Sequence, residues 1–388
     1  MSKVPTRPSA DALSLLAGPA AEARRWLFEV AAPLWADIGR LECGLLAERL
    51  LLDGRNDAVA PRRIFVQARH IYSYAALGRL GWPGPWRDRL EGVLDHLLTH
   101  AFREDGLIIH RFDPVAAPFD RRSDLYDQAF FLLGMAEAAR ATGRADALQA
   151  AHRLMDALEA RWRHPAGGFR EGDIAPAPRR QNPHMHLLEG LLALREVEQG
   201  GRWNALAGEV VGLCVARFID PGSGGLLEFF NEDLTPVTVA EGQRVEPGHC
   251  FEWAWLLERA ADLHPGARDA SGRLTAFARA HGLDPARGVA IDAASLNGEP
   301  QDLAARLWPQ TERMKAALAR LRRLGDRAEA EEALAAFRGL QPYLAMPVPG
   351  TWRDRMLADG SWVEEPARGS SLYHITCAYA ELIDLAGI

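Results

Sequence analysis

The chain has 388 residues, 48% hydrophobic and 25% charged, enough material for a large soluble core. A net charge of −7 and a pI near 6.0 leave no basic face of the kind a nucleic-acid binder needs. No apolar stretch approaches the length of a membrane span. The scattered Cys43, Cys214, Cys250 and Cys377 contain no CxxC pair, so reduced thiols and a cytoplasmic location are expected.

Residues 1–20 read as an N-terminal extension with room to be flexible. Asp11 and Pro19 interrupt its apolar run, which argues against a signal peptide. From there one unit recurs six times. Its first helical pattern appears at Ala21–Ile38, Trp86–Phe102, Ala145–Trp162, Trp203–Phe218, Ala267–Ala280 and Asp326–Phe337. A glycine turn with alternating residues follows each, and reads as a short β-hairpin. These are 43-CGLLAERLLLDG, 105-DGLIIHRFDP, 167-GGFREGDIAP, 224-GGLLEFFNEDLTP, 287-RGVAIDAASLNGEP and 359-DGSWVEEPARG. A second helix then opens at 69-RHIYSYAALGRLG, 126-YDQAFFLLGMAEAARATG, 185-MHLLEGLLALREVEQG, 249-HCFEWAWLLERAADLHPG, 308-WPQTERMKAALARLRRLG and 373-YHITCAYAELIDLAG. By subtraction those starts are 57 to 65 residues apart, a period that reports one supersecondary unit copied around or along an architecture.

The second helix of each unit is the more apolar and aromatic, and the first carries more charge, which predicts an inner and an outer layer. An open solenoid would need polar end caps. This chain ends on Ile383, Leu385 and Ile388, which favours a closed ring. The expectation is an all-α (α/α)6 barrel of twelve helices, one catalytic domain over 1–388, with short hairpins on one face. In such a ring the inner helices all open at the same rim.

Three of those openings carry a histidine at positions that read as equivalent in the repeat: His186, His249 and His374. His186 and Glu189, and His249 and Glu252, are three apart and share a helix face. The partial positive charge of a helix N-terminus lowers an imidazole's pKa and favours the neutral form, a competent general base. His70, His110, His152, His164, His184, His264 and His281 lack this equivalence and read as structural or solvated. Arg69 can clamp a hydroxyl or a phosphate. Tyr126 and Asp127 open the second inner helix, and Trp308, Gln310 and Glu312 the fifth. Trp308 and Trp352, set among turns and polar residues, offer indole faces to the CH faces of a sugar. The His-x-x-Glu order reverses the Glu-x-x-His of carboxylate-bridged metal bundles, and there is no His-Glu-x-x-His or cysteine cluster. No metal and no cofactor are expected.

Taken in order, 69-RHIYSYA, 124-DLYDQAFFLLGMA, 182-NPHMHLLEGLLAL, 247-PGHCFEWAWLL, 308-WPQTE and 373-YHITCAYAEL resemble the N-acylglucosamine 2-epimerase superfamily. That superfamily includes mannose isomerases, sulfoquinovose-related aldose–ketose isomerases and cellobiose 2-epimerases. The segment from Pro347 to His374 is most similar to its mannose-isomerase-like bacterial branch. The resemblance implies metal-independent proton transfer at C2 of a sugar. His249 and His374 match the paired acid/base histidines, and His186 a third pocket histidine. Arg69, Tyr126, Asn182, Glu189, Glu252, Trp308, Gln310, Glu312 and Trp352 are the expected substrate-binding or supporting positions. The first hairpin departs from the family's pattern, reading Cys43-Gly44-Leu45.

The expected reaction is isomerisation of D-mannose and D-fructose through a cis-enediol(ate), in a monomer or homodimer that takes a monosaccharide. C2 epimerisation of an N-acylglucosamine, or of another glucose/mannose-type sugar, shares the intermediate. An inverting glycoside hydrolase would instead need two carboxylates about 6.5–9.5 Å apart, drawn from Glu189, Glu252 and Glu312. A non-catalytic sugar binder would have no use for the histidines.

Overall fold

The computed structural model describes residues 8–238 and 243–388. Helix α1 (Ala10–Arg25) starts on Ser9, whose hydroxyl accepts from the N–H of Ala12. It runs through a π-helical turn, Trp26–Ala31, into α2 (Ala32–Asp37). The chain continues through α3 (Ile64–Arg79), α4 (Trp86–His100), α5 (Leu125–Thr142), α6 (Ala145–Arg161) and α7 (Gln181–Val197). It ends with α8 (Gly201–Leu213), α9 (Pro247–Arg259), α10 (Ala267–His281), α11 (Leu307–Leu324), α12 (Arg327–Leu344) and α13 (Gly369–Ala386). With α1 and α2 as one rod, the described residues form twelve helices.

Helices α3, α5, α7, α9, α11 and α13 make the inner ring. Each packs on the next, and α13 returns to α3. The others lie outside, each against its inner neighbour. Burial follows the layers. In α5 every residue from Asp127 to Ala139 is buried, whereas α6 buries Ala147, Ala150, Ala151, Leu154 and Leu158, the spacing of a single face. The hairpins close the ring a second time: Arg49–Leu50 in the first pairs antiparallel with Ala367–Arg368 in front of α13. The fold is an (α/α)6 barrel.

Two expectations need correction. Residues 8–20 are no loose extension, because Ala12, Leu16 and Ala20 are fully buried where α1 packs on α12 and α13; residues 1–7 lie outside the described ones. The sixth hairpin is also out of phase with the reading that places its turn at Gly360. Gly44, Gly106, Gly167, Gly224, Gly288 and Gly350 are the equivalent turn residues, with φ from 71° to 108°, a left-handed region that favours glycine. Gly360 makes the outer turn, as Gly54 does in the first unit.

The first of these turns leaves no room for a side chain. A Cβ on Gly44 would lie 2.4 Å from the carbonyl oxygen of Gly92 in α4. Gly44→Ala is therefore expected to cost about 1–3 kcal/mol, read as a lower denaturation midpoint at unchanged m.

Candidate active site

Every inner helix begins after an extended cap residue: Arg63, Asp124, Arg180, Glu246, Arg306 and Arg368. Counting from these caps gives the register of the ring. Six residues on lie Arg69, Phe130, His186, Glu252, Glu312 and His374. His186 and His374 are therefore equivalent, but His249 is not. It stands three residues after its cap, one helical turn nearer the rim, and Glu252 occupies the equivalent place.

At the rim a cavity of about 510 Å³ is lined by Arg69, Tyr126, Asn182, His186, His249, Glu252, Trp308 and His374 among the expected residues. Glu246, Arg306, Asp354, Arg355, Glu365, Arg368, Ser370 and Ser371 complete its polar wall. Three histidine–carboxylate pairs converge there. His374 Nδ1 lies 2.8 Å from Glu312, His186 Nδ1 lies 3.2 Å from Glu189, and His249 Nδ1 lies 3.0 Å from both oxygens of Glu228. A carboxylate on Nδ1 fixes the ring orientation and leaves Nε2 as the second functional atom.

The surroundings push the three imidazoles apart. Burial holds His374 well below its ordinary value, and the positive Arg69 and Lys315 add to that, so it is neutral. Burial likewise takes His186 down to about 4, against the pull of Glu189. Burial opposes charge on His249 too, but Glu228 and Glu246 outweigh it and hold the ring up to about 9, so it is an imidazolium near neutrality. Asn182 Nδ2 lies 3.2 Å from His249 Nε2. A charged ring donates at that nitrogen and calls for the amide's oxygen there instead. Trp308 lies beside both His249 and His374, with ring centroids 5.0 Å and 5.8 Å away.

Arg69 is the cation of this pocket with no carboxylate partner among the described residues. Its guanidinium donates to the Tyr126 hydroxyl at 2.8 Å and to the Ser370 carbonyl at 3.4 Å, and lies 4.1 Å over the Phe130 ring. Glu252 is its acidic counterpart. One carboxyl oxygen is buried without a hydrogen-bond partner, and burial together with Glu312 pushes the group well above the usual carboxylate range. It faces the cavity as a carboxyl that holds its proton more firmly than a solvated one. The ligand atoms of His186, Glu189 and Glu252, and of Glu252, Glu312 and His374, lie within 4.8 Å of one another and could reach one metal ion. In each group one carboxylate already has a protein partner, Tyr373 donating to Glu189 and Lys315 forming an ion pair with Glu312, whereas Glu252, common to both, has a bare oxygen.

The sequence profile described as N-acylglucosamine 2-epimerase (GlcNAc 2-epimerase) matches residues 46–378. The chain belongs to this family. It is 41% identical over 379 residues to a mannose-6-phosphate isomerase of Rhizobium meliloti, spanning 94% of this chain and 97% of that one. It is 24% identical to a cellobiose 2-epimerase of Bacteroides fragilis, over 78% and 81% of the two chains. A D-mannose isomerase structure superposes with a TM-score of 0.84 at 17% identity, covering 98% of this chain and 100% of that chain. The protein is thus a sugar isomerase or epimerase.

Four expected site residues of this epimerase-family barrel, Gln310, Trp352, Glu189 and Glu312, are absent from the cavity wall. Gln310 is fully buried; it accepts from the N–H of Ala290 at 2.7 Å and donates to that residue's carbonyl at 2.9 Å. Gln67 and Gln128, also four residues after their caps, latch Leu46 and Ile108 the same way, so this glutamine ties hairpin to helix. Trp352 is two residues past Gly350, the place of Leu46 and Ile108 in other units. It is wholly buried and stacked on Trp35 at 4.7 Å, so its indole offers the sugar no face. Glu189 and Glu312 stand behind His186 and His374 rather than in the cavity wall.

Glu228 is the residue that sequence reasoning missed, although a signal was present. An acid stands four residues after the turn glycine in five of six units: Glu48, Glu171, Glu228, Asp292 and Asp354. Each accepts from the backbone N–H of the next inner-helix cap, at 2.8 to 3.3 Å. Glu228 does this for Glu246 and also holds His249.

Proposed function

We propose that the enzyme interconverts D-mannose and D-fructose by moving a proton between C2 and C1 through a cis-enediol(ate). The observation that carries this reading is the opposed protonation of two histidines on one cavity. Neutral His374 is the base toward C2, and charged His249 is the acid toward the sugar oxygens, the pattern by which environment assigns acid and base roles. Arg69 and Glu252, whose carboxyl is held above its ordinary pKa, face the oxygens on which charge develops, where a preorganised donor contributes most. His186, in the same register as His374, and Tyr126 and Asn182 bind hydroxyls; Trp308 stacks on the sugar.

The rim favours an uncharged sugar over its 6-phosphate. Arg306, Arg355 and Arg368 are each held by a carboxylate, Glu246 at 2.6 Å, Asp302 at 3.1 Å and Glu365 at 2.5 Å, which leaves Arg69 as the one guanidinium of the wall without a carboxylate among the described residues to meet a dianion. The names of the relatives support isomerisation of a mannose-type sugar. The test is NMR of D-mannose, mannose 6-phosphate, N-acetylmannosamine and cellobiose incubated with the enzyme. Fructose from mannose, at higher kcat/KM than fructose 6-phosphate from mannose 6-phosphate, is expected. C2 epimers without ketose, or no turnover of any of the four, would overturn the reading. Arg69→Met is expected to lower kcat/KM about 10²–10³-fold, measured on the same sugar.

A further inference from the structure

One turn below the catalytic register, nine residues after its cap, α11 places a lysine in the barrel interior. Lys315 is fully buried. Its ammonium lies 2.6 Å from one oxygen of Glu312 and 3.7 Å above the Trp255 ring. The other oxygen of Glu312 takes His374 Nδ1 at 2.8 Å. Ammonium, carboxylate and imidazole thus form one line running from the barrel interior to the cavity, and Lys315 is absent from the cavity wall. Taking an ammonium wholly out of water is costly, and a well-packed apolar side chain would avoid that cost. Here Glu312, Glu252 and Glu189 all favour the charged form of the lysine.

We infer that Lys315 is a positioning residue for the proton transfer, fixing Glu312 so that His374 keeps Nδ1–H bonded and Nε2 bare. The inference rests on the isomerase reading for its meaning but not for its test. Glu312 is the only carboxylate bonded to His374 among the described residues. Deep burial raises the pKa of Glu312, and the Lys315 ammonium is the largest influence holding it down. The charges around His374 come from every side: Arg69 on α3, His186 and Glu189 on α7, Glu252 on α9, and Glu312 with Lys315 on α11. On α13, Cys377 and Tyr373 stay uncharged, their pKa raised by burial. Arg69 and Lys315 disfavour the imidazolium of His374, so removing Lys315 makes that ring easier to protonate. Activity that needs neutral His374 then appears only at higher pH.

The test is Lys315→Met, close in length and without charge. Its kcat is expected to fall about 10²-fold with KM little changed, and the acid limb of the kcat profile to move up by about one to three pH units. The ¹⁵N titration of His374 in sugar-free enzyme should move by the same amount. That readout separates failure of this inference from failure of the isomerase reading. A folded Lys315→Met enzyme with unchanged kcat, limb and His374 titration would overturn it. Should that variant fail to fold, Glu312→Gln and Glu312→Gln/Lys315→Met are compared instead. Equal rates support action through Glu312, and a further tenfold loss in the double variant contradicts it.

Discussion

His374→Ala is expected to slow exchange of the sugar's C2 hydrogen with deuterated water by about 10²–10⁴-fold. The ring is buried at the cavity wall, neutral, with Nδ1 committed to Glu312 at 2.8 Å, so Nε2 is the free base in the pocket. Truncation opens space toward a cavity that already exists, and Glu312 keeps Lys315 as a partner. The fold should therefore survive, and circular dichroism should be unchanged. His186→Ala is the informative control. His186 occupies the same register but is walled by Phe130 and Tyr126, with ring centroids at 4.3 and 5.0 Å. Its loss should raise KM more than it lowers kcat. Wild-type exchange in His374→Ala would remove that residue as the base.

The second large effect concerns pH. With His374 held below its ordinary value and His249 up to about 9, kcat should rise through an acid limb below pH 6.5 and fall through an alkaline limb near 9. The two limbs have different owners: the acid limb is His374 losing its proton to become a base, and the alkaline limb is His249 losing the proton it must donate. Glu228→Gln tests the second assignment. After burial, the Glu228 carboxylate is the largest influence on His249, and it raises the pKa. Neutralising it lowers that pKa, so the alkaline limb should move down by about one to three pH units, narrowing the plateau from the high side. The acid limb should stay in place, because Glu228 faces His249 and not His374. An alkaline limb that does not move would assign it to another group.

Much of the barrel was legible because its period is written in the sequence. The apolar inner phrases, the more polar outer ones and the hairpins between them appear as expected, and His186 and His374 do share a register. Phase was the harder quantity. His249 looked equivalent to the other two because it also opens a helix, yet its repeat partner is Glu252, and only backbone geometry fixes which residue is the cap. Gly360 passed for the sixth turn because Asp-Gly is a strong turn signal. The true equivalent is Gly350, which carries Trp352 into a buried plug and not to the rim. Gln310 sits inside a family-like motif, but its amide serves the hairpin, as Gln67 and Gln128 show. Glu228 and Lys315 were hidden for different reasons: the contact of Glu228 with His249 joins two segments, so its recurring place after the turn glycine did not announce it, and the i, i+3 spacing of Glu312 and Lys315 on α11 does not say that the pair points into the barrel.

The most direct single measurement is the fate of the label in D-[2-²H]mannose turned over in ordinary water. Proton transfer by a histidine predicts fructose with solvent hydrogen at C1 in a substantial fraction of molecules, and deuterium released to water. Deuterium carried entirely from C2 to C1, at the same rate in His374→Ala as in the wild type, would contradict His374 as the base.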